Sequence, residues 1–85
     1  MSLRPRDETA ERTLDQLVPG ESAAVTRLEG APGIARRLME LGLVPGTAVE
    51  MVRSAPLGDP LEVTVRGVHL SLRRAEARYI HVSTR

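Results

Sequence analysis

Cysteine, lysine, tryptophan and phenylalanine are absent from this 85-residue chain, and Tyr79 is its only aromatic residue. Without cysteine the chain has no disulfide, no thiolate metal ligand and no thiol nucleophile. Without lysine it cannot form a Schiff base or a phosphate-binding P-loop, which needs Gly-Lys-Ser/Thr. The G-x-S-x-G nucleophile elbow is also missing. These absences remove the common catalytic devices, and we expect the chain not to be an enzyme.

The chain also lacks a large excess of charge of either sign, because its 12 arginines and 11 acidic residues give a net charge of +1. Arg73, Arg74 and Arg78 lie close together, but one aromatic residue is too few for stacking successive bases. We therefore interpret these arginines as solvated surface and expect no binding to nucleic acid.

No apolar run approaches the roughly 18 residues that a membrane helix needs. The N-terminal MSLRPRDETAER also has no apolar segment typical of a secretory signal. We expect a cytoplasmic protein that meets a membrane only through a partner. Nothing in the sequence predicts a cofactor.

One domain is expected from residues 13 to 85, preceded by a flexible or weakly helical arm at residues 1–12. TLDQLVPGE predicts a single helical turn that ends at Pro19-Gly20. Residues 21–29 predict a strand, because the β-branched Val25 and Thr26 stand between turn signals.

The pattern then changes to a helical period that begins at Pro32. Ile34, Leu38 and Leu41 are spaced at i, i+4 and i+7 and should face the core. Gly42 fits the left-handed position of a Schellman ending, which would place Leu38 against Leu43. On the opposite side of this helix, the residues expected to face solvent are Arg36, Arg37 and Glu40.

The remainder predicts strands at 47–54, 61–66, 68–73 and 78–83, with a helical turn at 74–77. With Arg66 and Gly67 as a two-residue loop, three apolar pairs face each other across the hairpin. These pairs are Val65 with Val68, Val63 with Leu70 and Leu61 with Leu72, and a one-residue slip would turn each strand over. The fold class is therefore mainly β, a small five-stranded barrel with one helix inserted between the first two strands and a short N-terminal helical segment.

Two kinds of binding site remain after these exclusions. His69 and His81 are the only histidines, and Glu62 should lie near His69 on the outer face. A His₂-carboxylate metal site is chemically reasonable, but polar positions that alternate with inward residues are also where solvated histidines lie. We predict no metal site.

The second kind is a protein-binding surface in APLGDPLEV, residues 55–63, where Leu57 stands between prolines. A stiff apolar tip would lose little freedom on docking, which favours Pro56, Leu57, Gly58 and Asp59 as contact residues. The alternative is a plain turn whose leucine folds back onto the barrel. The residues alone leave both open.

Residues from about Leu14 to Val82 carry R-L-x-x-L-G-L-x-P-G, A-P-L-G-D-P and L-R-x-x-E-A in one order. With these motifs the chain resembles the FeoA family, the ferrous iron transport protein A of bacteria. The resemblance implies an SH3-like barrel and a role in iron(II) uptake through binding the cytoplasmic side of the FeoB permease. A protein partner also favours Leu57 as a recognition residue and the outer helix face as a second candidate surface.

A related alternative is a free-standing SH3-like regulatory module. Similar domains form the C-terminus of DtxR-type metal-dependent repressors, and such a module would bind another protein or a metal ion. The chain has no helix-turn-helix of its own, so it would not be a repressor by itself. We expect a monomer or a weak dimer.

Overall fold

The computed structural model describes residues 11–84, which form six strands, one 3₁₀ turn and two α-helices. The strands are β1 (Glu11–Thr13), β2 (Ser22–Leu28), β3 (Ala48–Ser54), β4 (Leu61–Val65), β5 (Val68–Leu72) and β6 (Ile80–Ser83). The 3₁₀ turn spans Leu14–Gln16, α1 spans Pro32–Glu40 and α2 spans Arg74–Ala77. Each element predicted from the sequence is present.

The strands form one antiparallel sheet in the order β1-β6-β2-β3-β4-β5. The prediction of five strands missed β1, whose three residues pair with β6 so that Thr13 faces His81. Residues 1–10 of the predicted arm lie outside the described residues, and its last two residues, Glu11 and Arg12, belong to β1. Because β1 precedes the others, α1 is inserted between the second and third strands rather than the first two.

The β4–β5 hairpin has the predicted register. Val65 faces Val68, Val63 faces Leu70 and Leu61 faces Leu72. Arg66 and Gly67 form the connection with φ angles of 54° and 80°. Two consecutive residues with positive φ are typical of the type I′ turn, whose twist matches that of paired strands.

Burial along β5 differs from the prediction at one end. Leu72 is fully buried and Leu70 packs partly against the core, but Val68 is 56% exposed although its partner Val65 is buried. The reason is that β5 lies at the edge of the sheet and Val68 begins it, beside the turn. The apolar alternation of β5 correctly predicts the face of the sheet that carries Val68, but it does not predict how deeply Val68 is buried.

Helix α1 ends in the predicted Schellman motif. The N–H of Leu43 donates to the carbonyl of Leu38 at 3.1 Å, and the N–H of Gly42 donates to Met39 at 2.9 Å. Gly42 has a φ of 102°, and both Leu38 and Leu43 are fully buried. Leu41 was expected in the core but is 38% exposed, because the chain turns at Gly42 and Leu43 takes the position against Leu38.

A bulge in β2 shifts the alternation of its inward-pointing side chains by one residue. Val25 faces Val82 and Arg27 faces His81, so Thr26 is the extra residue. The buried side chains of β2 therefore come from Ala23 and Val25 before the bulge, and Leu28 packs on the core after it. The largest fully buried side chains come from the five longer strands, α1, the turn after α1 and the 3₁₀ turn: Leu14, Val25, Leu38, Leu43, Val49, Met51, Leu61, Val63, Val65, Leu72, Ile80 and Val82.

Tyr79 packs its ring on Gly30, the middle residue of the three-residue connection between β2 and α1. A Cβ atom at Gly30 would lie 2.8 Å from the Cδ1 atom of the tyrosine ring, and the φ of Gly30 is 105°. The N–H of Glu29 also donates to the carbonyl of Tyr79 at 2.8 Å. Both the close approach and the backbone conformation require glycine at this position.

Candidate partner-binding surface

The loop of residues 55–60 connects β3 to β4 and carries Leu57 at its tip. Leu57 is 96% exposed, the highest exposure among the large apolar residues that the structure describes. The alternative in which this leucine folds back onto the barrel is therefore wrong. An apolar side chain with almost no contact on its own domain is available to a partner.

Two backbone hydrogen bonds close this loop. The N–H of Ala55 donates to the carbonyl of Pro60 at 2.9 Å, and the N–H of Gly58 donates to the carbonyl of Ala55 at 2.7 Å. Gly58 has a φ of 86°, a conformation that favours glycine, and a Cβ atom there would meet only the Arg74 guanidinium at 3.8 Å. The loop is thus a closed turn with Leu57 projecting from it.

Arg74, the first residue of α2, attaches this turn to the rest of the domain. Its Nε donates to the carbonyl of Gly58 at 2.9 Å, and its Nη1 donates to the carbonyl of Asp15 in the 3₁₀ turn at 3.1 Å. The sequence predicts that Arg74 is solvated surface, and that interpretation is wrong, because its guanidinium is hydrogen-bonded within the domain. Its two acceptors lie 16 and 59 residues away in the chain, so no local pattern could identify them.

Asp59 also makes a contact within the domain. Its Oδ1 accepts a hydrogen bond of 3.0 Å from the backbone N–H of Arg74. This N–H belongs to the first turn of α2, where backbone donors have no partner within the helix. Among the four loop residues predicted to bind a partner, Asp59 thus has a role in holding the loop, whereas Leu57 has none.

The second candidate surface is the α1 patch, defined by Arg36, Arg37 and Glu40, and all three residues are exposed. Arg37 forms an ion pair with Glu76 of α2, so it connects the two helices. Glu76 in turn accepts a 3.0 Å hydrogen bond from the N–H of Arg73. Arg36 and Glu40 form no ion pair with any residue in the range 11–84.

The short helix α2 lies between the two candidate surfaces. Its Arg74 holds the 55–60 loop and its Glu76 holds Arg37 of the α1 patch. The two surfaces lie far apart in the sequence. The structure brings both into contact with the same four-residue helix, so that one partner could cover them together.

The two histidines lie in different surroundings. His69 lines a shallow, open cavity of about 230 Å³ with Glu62, Leu70 and Ser71, which confirms the predicted proximity of Glu62 and His69. Glu62 also pairs with Arg53 at 3.4 Å. Within residues 11–84 no three histidine, aspartate or glutamate side chains come together as metal ligands.

His81 lies beside a group of charged side chains from β1, β2 and the residue after β2: Glu11, Arg27 and Glu29. Its Nε2 lies 2.9 Å from Oε1 of Glu29, which also binds Arg27. The hydrogen bond from Arg27, followed by that from His81, lowers the pKa of the Glu29 carboxyl below its ordinary value of 4.5. The same carboxylate raises the pKa of Arg27. An arginine already fills the space beside this carboxylate, which does not favour a cation there.

Comparison with known proteins identifies the fold and the family. The family model described as the FeoA domain matches residues 12–84, almost all of the chain. The chain belongs to the FeoA family. The expectation that the motifs raised is confirmed, and the SH3-like fold class with it.

Three relatives show how close the likeness is. A FeoA protein from Chlorobium tepidum is 45% identical with a TM-score of 0.80, over 86% of this chain and 70% of that one. Stenotrophomonas maltophilia FeoA, an SH3 domain protein solved in complex with zinc, is 40% identical with a TM-score of 0.74, over 84% and 88%. A fusion protein of Fe(2+) transport protein A and the transporter FeoB from Porphyromonas gingivalis is 36% identical over 69 residues.

This chain spans 8% of the length of the Porphyromonas fusion protein, while the match covers 81% of the chain. A manganese-dependent transcriptional repressor shares the fold alone, with 17% identity and a TM-score of 0.80 over 88% of this chain and 42% of that one. Within residues 11–84 of this FeoA-family chain, neither helix is long and apolar enough to cross a membrane.

Proposed function

We propose that this chain is a small accessory protein of bacterial ferrous iron uptake that binds the cytoplasmic side of a FeoB-type permease. The observation that carries the proposal is the Porphyromonas relative, in which a FeoA-type region and a FeoB transporter are one polypeptide. A covalent link keeps two domains at high effective concentration, and such fusions are useful where the separate domains act together.

The proposed contact surface is the 55–60 loop, with the α1 patch as its polar neighbour across α2. Leu57 would be the apolar anchor, flanked by Pro56 and Gly58. Anchors of this kind contribute most of the binding energy at interfaces, and the surrounding contacts exclude water. The role is binding rather than catalysis, and the purified chain is expected to hydrolyse no GTP.

The test is a calorimetric titration of the chain with the isolated cytoplasmic domain of the permease from the same genome. Leu57→Ser is compared with Val68→Ser, because both remove an exposed aliphatic side chain near one end of β4. The two sites lie at opposite ends of β4, so only Leu57→Ser should weaken binding. No binding by the unmodified chain, or equal loss in both variants, would contradict the proposal.

A second candidate is a regulatory module that binds a metal or another protein. It is supported by the fold shared with a manganese-dependent repressor, and by Glu62 and His69 lining one cavity. We expect anaerobic titration with iron(II) to show no stoichiometric micromolar site. A site that His69→Ala and His81→Ala abolish would favour this second function.

A further inference from the structure

The 55–60 loop combines a fixed backbone with a side chain that touches almost nothing. Leu57 is 96% exposed, so burial of its tip cannot be what holds the loop in place. Loops without apolar contacts are usually mobile, because nothing offsets the entropy of ordering them. The order of this loop comes from its two prolines and its hydrogen bonds, and Arg74 makes the hydrogen bonds that reach outside the loop.

We infer that Arg74 is a positioning residue for partner recognition, which holds Leu57 in its binding conformation without touching the partner itself. The inference rests on the proposed function and adds to it the residue on which the binding surface depends. The partner it fits is a protein surface with an apolar pocket for one leucine side chain, on the cytoplasmic domain of the permease.

The geometry of Arg74 supports this role. The planar guanidinium presents several donors in fixed directions, and here Nε and Nη1 bind carbonyls of two different segments. One carbonyl belongs to Gly58, next to Leu57, and the other to Asp15 in the 3₁₀ turn. A lysine would not reproduce this geometry, because its ammonium carries all of its donors on one nitrogen. The arginine thus connects the turn to a segment whose Leu14 is fully buried.

Charge around the tip supports an apolar rather than an electrostatic contact. The carboxylate of Asp59 and the guanidinium of Arg74 both lie beside the loop and are already hydrogen-bonded within the domain. Their opposite charges leave little net field at the tip. Binding through this tip should therefore depend only weakly on salt, whereas binding through the exposed Arg36 would weaken as ionic strength rises.

A double-mutant cycle tests the inference with Leu57→Ala, Arg74→Ala and the double variant, titrated against the isolated cytoplasmic domain of the permease. Arg78→Ala is the matched control, since Arg78 is also in contact with Asp15 but makes no hydrogen bond to the loop. Leu57→Ala should weaken binding by about tenfold or more, and Arg74→Ala by about three- to tenfold. Arg78→Ala should bind as the unmodified chain does.

The decisive value is the affinity of the double variant. If Arg74 acts only through Leu57, the double variant binds within about twofold of Leu57→Ala alone. If Arg74→Ala causes the same loss in both backgrounds, Arg74 contacts the partner directly and the inference is wrong. A lack of binding by the unmodified chain would be a failure of the proposed function instead.

Amide hydrogen exchange in the free chain provides a measurement that needs no partner. Arg74→Ala should accelerate exchange at Ala55 and Gly58, whose N–H groups close the loop, and Arg78→Ala should not. Unchanged exchange in Arg74→Ala would overturn the inference whatever the binding data show.

A second pair of variants serves if Arg74→Ala fails to fold. Asp59→Asn keeps an oxygen that can accept from the Arg74 N–H, whereas Asp59→Ala removes it. Binding and slow exchange at Gly58 should survive in Asp59→Asn and weaken in Asp59→Ala. Equal behaviour of the two variants would contradict the role of loop attachment in recognition.

Discussion

Strand β4 has a connection at each end, and the two are built on different principles. The Arg66-Gly67 turn to β5 is minimal, and the alternation of the strands it joins determines its register. The 55–60 loop from β3 is longer, exposes a leucine and is held by a residue of another element. The second connection therefore holds an apolar side chain in solvent, and binding residues are often found on loops positioned by a rigid scaffold.

The largest effect is expected from breaking the hairpin that the short turn defines. Val63→Asp would place an unpaired charge at a fully buried position and should cost about 3 kcal/mol or more of the free energy of unfolding. Leu70→Asp should cost less, because Leu70 is only partly buried. Thermal unfolding measures both, and an unchanged melting temperature for Val63→Asp would show that this face is wrongly assigned.

Leu57→Ser should separate stability from binding at the longer connection. The melting temperature should stay nearly unchanged, because the side chain loses no buried contact, while binding to the permease domain weakens by roughly 1 to 3 kcal/mol. Both quantities are measured on the same sample. A loss of binding only in proportion to unfolding would mean that the loop is merely a stiff turn.

Glycine replacements compare the two connections directly. Gly67→Ala and Gly58→Ala both introduce a side chain at positive φ, where strain costs about 1 kcal/mol. Neither position has a close steric neighbour, so backbone strain is the main effect. Both should lower the melting temperature by a few degrees, but only Gly58→Ala should alter affinity for the permease domain. Equal affinities in Gly67→Ala and Gly58→Ala would contradict the proposal that only the 55–60 loop contacts the partner.

The smallest effect is expected from pH, in the charge network remote from both connections. The folded pKa of Glu29 is depressed, so its ionised form contributes stability above about pH 4.5 that is lost as pH falls through the lower folded value. Glu29→Gln should reduce the difference in melting temperature between pH 7 and pH 3. Glu29→Gln should bind the permease domain at neutral pH with the same affinity as the unmodified chain. A change in affinity would mean that the binding surface includes this charge network.

What could be predicted from the sequence follows from how far apart the interacting residues are. Leu38, Gly42 and Leu43 form the Schellman ending within six residues, and the β4–β5 register repeats every second residue. Strand β1 was missed because its three residues, Glu-Arg-Thr, carry no apolar alternation and are held by backbone pairing to β6. The extent to which Val68 is buried depends on its position at the edge of the sheet, which the local sequence does not reveal.

The candidate surface was only half predictable for the same reason. The proline-flanked Leu57 could be recognised locally as a candidate and is exposed in the structure, while its role in binding stays a prediction. Its attachment could not, since the acceptors of Arg74 lie in the loop and in the 3₁₀ turn. Arg37 likewise gains its partner, Glu76, only after α1 and α2 come together in the fold.

The contact between Tyr79 and Gly30 should produce an NMR chemical shift that reports on native packing. The tyrosine ring packs closely on Gly30, so its ring current should shift the α-protons of Gly30. That shift reads out whether β2, the start of α1 and the segment before β6 are assembled. Proton spectra of every variant described above can therefore be checked for native packing at one resonance, before any binding is measured.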